Sequence, residues 1–182
     1  MIISITGTPG TGKTYFAKKF ADKTGFRYFE LNKFIKEERL YDSYDKKAMT
    51  YDVDIKKLSK LLNMLLKKYR INPRDKQQLL LSKQLGMHIN NEFQYKKLLN
   101  TLHTVKNKKS SLNNIIIDSH LSHYLESDYC FIMKSDIKLL NKRLQNRKYS
   151  KKKIKENIES EIFEICLDES RKLKRQMIII RN

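Results

Sequence analysis

The 182 residues carry 39 Lys or Arg against 20 Asp or Glu, a formal net charge of +19, and 40% of them are hydrophobic. That length and apolar content suit one folded core and exclude a disordered tail, while no apolar run approaches the roughly 20 residues of a membrane span. A field of this sign attracts polyanions, nucleic acid or a ribonucleoprotein among them, although Lys, Ile and Asn in such abundance are also what AT-rich coding produces without any partner.

The chain opens on an apolar run, Met1 to Thr6, that reads as a strand and leaves no room ahead of it for a cleavable leader. Gly7-Thr8-Pro9-Gly10-Thr11-Gly12-Lys13-Thr14 follows at once, and a helix is expected over residues 13–23, stopped by Gly25. A second strand is expected over 26–31, a charged helix over 32–39, and a loop over 40–45. From Asp54, Leu58, Leu61, Leu62, Leu65, Leu66 and Tyr69 recur at helical spacing, as in an amphipathic helix lying on a sheet.

Residues of about 69–112 exceed what a crossover needs and read as a small helical insertion, with helices over 75–85 and 92–105 and a basic loop over 106–111. Ile115-Ile116-Ile117-Asp118 has the composition of a parallel strand buried on both faces, and residues 129–133 repeat it. Ser135 or Asp136 caps a helix bearing Ile137, Leu139, Leu140 and Leu144 and leading to Arg143 and Arg147. Ser150 starts a long helix with Ile154, Ile158, Ile162 and Ile165 along one face, and residues 177–180 form the last strand. Strands separated by helices predict a parallel sheet covered on both sides by right-handed crossovers. Cys130 and Cys166 fit no metal spacing and read as buried free thiols in a reducing, cytoplasmic setting.

The chemistry starts at the glycine-rich loop, whose backbone N–H groups can converge on a phosphate chain because no Cβ intervenes. Lys13 supplies a point charge for the β and γ phosphates, the Thr14 hydroxyl suits Mg²⁺, and the helix that follows turns its positive end to the same anion. Asp118, at the carboxyl end of a buried strand, stands where phosphoryl-transfer proteins hold the shell of the metal. His120 projects to the same side two residues on, placed to orient or deprotonate a water or hydroxyl. Arg143 and Arg147 share a helix face and can neutralise charge on a transferring phosphoryl group.

Five motifs stand in order: the loop Gly7 to Thr14, then Glu37-Glu38-Arg39-Leu40-Tyr41-Asp42-Ser43-Tyr44-Asp45, Asp118-Ser119-His120, Arg143-Leu144-Gln145-Asn146-Arg147-Lys148-Tyr149, and Glu156-Asn157-Ile158-Glu159-Ser160-Glu161-Ile162-Phe163. Together they resemble the adenylate kinase isoenzyme 6 family across nearly the whole chain outside the insertion. The resemblance implies an α/β P-loop fold of the nucleoside monophosphate kinase type, with a five-stranded parallel sheet in the order 2-3-1-4-5, an AMP-binding region over about 30–53 and a lid over about 146–156. It implies ATP contacts at Gly10, Thr11, Gly12, Lys13, Thr14, Tyr15 and Arg147, AMP contacts at Lys36, Tyr41 and Asp42, and Mg²⁺ on Thr14 and, through water, Asp118. It also implies ATPase activity that needs the Asp118 and His120 pair, and a role in small ribosomal subunit maturation with a platform ribosomal protein and rRNA as partners. A monomer away from membranes is expected.

Three departures accompany the likeness. Lys36 stands where an arginine is expected to face the monophosphate, Lys148 replaces a glycine of the lid, and the segment expected to follow the last strand and frame the adenine is missing after Asn182. They point away from strong base selectivity and efficient AMP phosphorylation more than from ATP hydrolysis. The competing expectation is a nucleotide-gated assembly factor, in which hydrolysis times release from RNA or a ribosomal protein.

Overall fold

The computed structural model describes residues 1–46, 50–66, 88–89, 114–147 and 149–182. Its centre is a parallel sheet built from β1 (Ile2–Thr6), β2 (Arg27–Glu30), β5 (His88–Ile89), β6 (Ile115–Asp118), β7 (Tyr129–Lys134) and β8 (Met177–Arg181), in the spatial order β2-β6-β1-β7-β8-β5. Leaving out β5, these strands run 2-3-1-4-5 when the core strands are numbered along the chain, the expected order. The sixth strand comes from within the insertion, where His88–Ile89 pairs in parallel with Ile179 and Ile180 at the sheet edge. The helices expected at 75–85 and 92–105 lie outside the described residues, as does Tyr69.

β1 occupies the middle and is buried at all five positions, which its unbroken apolar run requires. Side chains alternate across it. Ile3 and Ile5 enter the core under α1 (Lys13–Thr24), where Phe20 meets Phe131 edge-on at 5.5 Å between ring centroids. Ile2 faces the opposite layer, built from Leu31 and Ile35 of α2 (Leu31–Glu37) and Leu58 and Leu62 of α3 (Ile55–Leu65). Gly25, at φ 67°, ends α1 in the left-handed conformation its composition predicts. Asp54 caps α3 by accepting from the N–H groups of Lys56 and Lys57, and Asp136, rather than Ser135, caps α4 (Ile137–Asn146) in the same way.

Four expectations need correction. Residues 43–45 are not loop but β3 (Ser43–Asp45), paired antiparallel with β4 (Thr50–Asp52) in a separate two-stranded ribbon. Aromatic contacts hold this ribbon, with Tyr51 lying between Tyr44 and Tyr41 at 4.7 and 4.6 Å. Its strands are too short and too exposed to show apolar alternation. The long helix from Ser150 is two, α5 (Lys151–Ile162) and α6 (Ile165–Lys172), separated where Glu164 turns left-handed at φ 53°. The isoleucine stripe is also not the buried face: Ile162 and Ile165 stand 55% and 41% exposed, while Asn157 and Glu161 face inward. On α3 the core is met by Leu58, Leu62 and Leu66, and Leu61 and Leu65 turn outward.

Candidate active site

Parallel register brings the functional ends of three strands together, since Ile5, Asp118 and Glu30 lie level across β1, β6 and β2. β1 ends at Thr6, and the chain then makes the tight loop that precedes α1. Gly7 is obligatory there: it sits at φ 138°, and a Cβ would lie 2.3 Å from the Met133 carbonyl oxygen. Gly12, at φ 91°, opens α1, so Lys13 is the first helical residue.

Within the loop the Thr11 hydroxyl and the Lys13 ammonium both donate to the Thr8 carbonyl, at 2.9 and 3.0 Å. Burial pushes the Lys13 pKa down to about 8, against the pull of the Asp118 carboxylate. The ammonium is thus held bent back on its own loop, in the place an anion would claim. Arg143 reaches the loop from α4, with Nη1 3.4 Å from the Gly10 carbonyl and 3.4 Å from the Ser135 hydroxyl. The Asn182 side-chain amide donates to the Thr11 carbonyl at 3.2 Å.

Asp118 is buried at the tip of β6. Its Oδ2 accepts from the Thr14 hydroxyl at 2.6 Å and from the Tyr28 hydroxyl at 3.1 Å. The Thr14 and Asp118 oxygens therefore already lie within reach of a common ion. A threonine hydroxyl beside a carboxylate able to hold bound water is a hard-oxygen set that would suit Mg²⁺ carried on a nucleotide. Among the described residues no three His, Cys, Asp or Glu side chains gather as a self-contained metal cage. The donor set thus fits Mg²⁺ brought in with a nucleotide.

These groups line one cavity of about 960 Å³, at the upper end of the roughly 300–1,000 Å³ usual for small-molecule sites. Gly10, Gly12, Lys13, Thr14 and Tyr15 form one wall. Asp118 and His120 form the floor, Lys33 and Lys36 of α2 with Thr50 and Tyr51 of the ribbon form the opposite wall, and Arg147, Tyr149 and Lys153 close over from the α4–α5 connection. Burial, followed by the positive charges of Lys13, His123 and Lys153, pushes the His120 pKa down to about 4. His120 is therefore a neutral imidazole throughout the physiological range.

Four of the predicted residues lie off this cavity wall. Thr11 is buried beneath the loop and Arg143 sits behind it. Tyr41 packs with the α2 and α3 layer, and the Asp42 N–H closes the ribbon by donating to the Asp52 carbonyl at 2.8 Å. Cys130 is a buried free thiol; Cys166, also free, is only partly buried and lines the cavity, its pKa pushed up to about 11 by desolvation.

Two buried groups were given no role in the sequence reading. Glu161 Oε2 accepts from the Thr8 hydroxyl at 2.6 Å and Oε1 from the Ser135 N–H at 3.0 Å, so one carboxylate of α5 ties the phosphate loop to the β7–α4 turn. His123 Nδ1 lies 2.8 Å from the Thr6 hydroxyl and Nε2 2.9 Å from Glu169 Oε2, and both residues line the cavity. Burial holds its pKa below the usual histidine value, with Glu169 acting against it. The available clue to Glu161 was an acid placed inside a quoted motif; apolar periodicity pointed to the isoleucines instead.

The sequence profile of the AAA domain matches residues 3–164, from β1 to the α5–α6 junction. The chain belongs to this AAA-domain family. Curated relatives named "Putative adenylate kinase" align with most of it: that of Methanocaldococcus jannaschii is 28% identical over 94% of this chain and 72% of its own length. The relative of Methanosarcina mazei is 31% identical over 93% of this chain and 72% of its own. Among solved structures, the shikimate kinase of Bacteroides thetaiotaomicron superposes with a TM-score of 0.44 at 17% identity, over 100% of this chain and 85% of that one. The family span thus takes in the phosphate loop, the Asp118 floor, Arg143 of α4 and Arg147 just beyond it.

Proposed function

We propose that this protein is a nucleoside monophosphate kinase that moves the γ-phosphoryl group of Mg²⁺-bound ATP to AMP, with ATP hydrolysis as its second reaction. One observation carries the reading: a single cavity has a phosphate loop on one wall and a lysine-bearing helix and ribbon on the other, with the Asp118 carboxylate between them. A phosphate loop serving hydrolysis alone needs no second cationic wall. The adenylate kinase name of the relatives supports the same reading.

In this account the region over about 30–53 receives the monophosphate through Lys36, and residues 146–156 form the lid. The loop from Gly10 to Tyr15 and the exposed guanidinium of Arg147 take the triphosphate. Thr14 and, through water, Asp118 would hold Mg²⁺, which screens phosphate charge when bound. Lys13 exchanges the Thr8 carbonyl for phosphate oxygens, recovering in charge-assisted bonds what it loses in a neutral one. A monophosphate oxygen needs no base to attack. In hydrolysis, water forms a bond to the γ phosphorus, the bond to the ADP oxygen breaks, and a proton must leave. An imidazole of pKa about 4 is a poor sink for that proton but a good acceptor of a hydrogen bond, so His120 orients the water rather than deprotonating it.

The motifs quoted above and the +19 charge also favour the narrower reading, an assembly factor of the small ribosomal subunit whose turnover times its release from RNA or a platform ribosomal protein. Phosphorus NMR of ATP and Mg²⁺, with and without AMP, separates the two. Two ADP formed per AMP consumed is the expected result, and free phosphate whose rate ignores AMP would sink the kinase reading in favour of the assembly factor.

A further inference from the structure

The cation that joins the two walls is Lys153, in the first turn of α5. It belongs to the lid side of the cavity, yet its ammonium donates to the Thr50 hydroxyl of the ribbon at 3.0 Å, across the mouth. It also lies over the Tyr149 ring, 4.7 Å from the centroid, which steers the long side chain inward. The Thr50 hydroxyl is a neutral acceptor, and a dianionic phosphate would bind the same donor far more strongly.

Resting on the kinase reading, we infer that Lys153 is a specificity residue for the acceptor: it leaves Thr50 to bind the phosphate of the incoming nucleoside monophosphate. Lys36, exposed on the opposite wall, offers that phosphate only a point charge. A second lysine descending from the lid supplies the second charge and makes lid closure depend on the acceptor. The Thr50 contact is among those that keep the lysine over the site until the acceptor arrives.

Calorimetry of AMP binding to the full chain tests this, in the wild type, Lys153→Gln, Lys153→Met and Lys153→Arg. Glutamine keeps an N–H able to reach Thr50 but carries no charge. A charge-assisted bond is worth about 1.5–3 kcal/mol, so the expected loss of AMP affinity is about tenfold or more in both the glutamine and methionine variants, with most of it recovered by arginine. Steady-state kinetics should show the KM for AMP rising in parallel while the KM for ATP moves far less. Wild-type AMP affinity in Lys153→Gln would overturn the inference, leaving Lys153 as a strut between lid and ribbon. AMP that binds in this Lys153-dependent way without forming ADP would uphold the inference and overturn the kinase reading instead.

Discussion

Lys13 is held by the Thr8 carbonyl, in surroundings that cost its charge enough to bring its pKa to about 8. The cost has a sign that can be measured. A lysine with a depressed folded-state pKa is charged below about 8 and neutral above it, so the free protein loses its phosphate anchor as pH rises through that value. kcat/KM for ATP should therefore fall above pH 8, and Lys13→Arg, whose guanidinium does not titrate there, should remove that limb whatever it does to the plateau. A limb left in place by the arginine variant would mean that another group titrates. His120, already neutral, should add no limb between pH 5 and 7. At this scale the sequence was most legible: Lys13, Thr14 and Asp118 could be placed because a fixed spacing after a buried strand leaves little choice of geometry. Tyr41 and Asp42 could not, because their positions depend on a ribbon held by ring contacts rather than by any periodic pattern.

Among the elements, α5 is where pattern and packing part. Its isoleucines suggest a buried stripe, but Glu161 and Asn157 take the inward positions and Ile162 stays exposed. The reason is chemical: the Thr8 hydroxyl and the Ser135 N–H are buried donors that need an acceptor, and a carboxylate satisfies both. Glu161→Ala strands both donors and should cost about 2–4 kcal/mol, while Glu161→Gln, which keeps one acceptor oxygen for the Ser135 N–H and turns its amide N–H to the Thr8 hydroxyl, should cost about half as much. Urea unfolding reads both, and equal losses in the two variants would show that charge, not hydrogen-bond satisfaction, makes Glu161 matter. The break between α5 and α6 was equally hidden, since Glu164 adopts φ 53° where a glycine would have signalled it. The parallel strands, by contrast, were readable from unbroken apolar runs, because a strand covered on both faces has no polar side to confuse it. β5 was not, being two residues long and inside the insertion.

Across the whole molecule, right-handed crossovers decide which face each connecting helix covers, whereas the strand order was legible only through the family resemblance; that order brings loop, floor and ribbon together at the carboxyl edge of the sheet. That Thr50 and Tyr51 of the ribbon would line the cavity with Lys36, and Lys153 reach it from the lid side, required the three-dimensional structure. The central claim is that both walls serve one reaction, donor on the loop and acceptor on the ribbon side. Calorimetric titration with two adenosines joined by five phosphates tests it most directly, because such a molecule spans both walls only if they form one site. The account predicts one molecule bound per chain, at least about a hundredfold tighter than ATP, with affinity lost in Lys13→Ala and reduced in Lys36→Ala. Binding no tighter than ATP, and indifferent to Lys36, would contradict it.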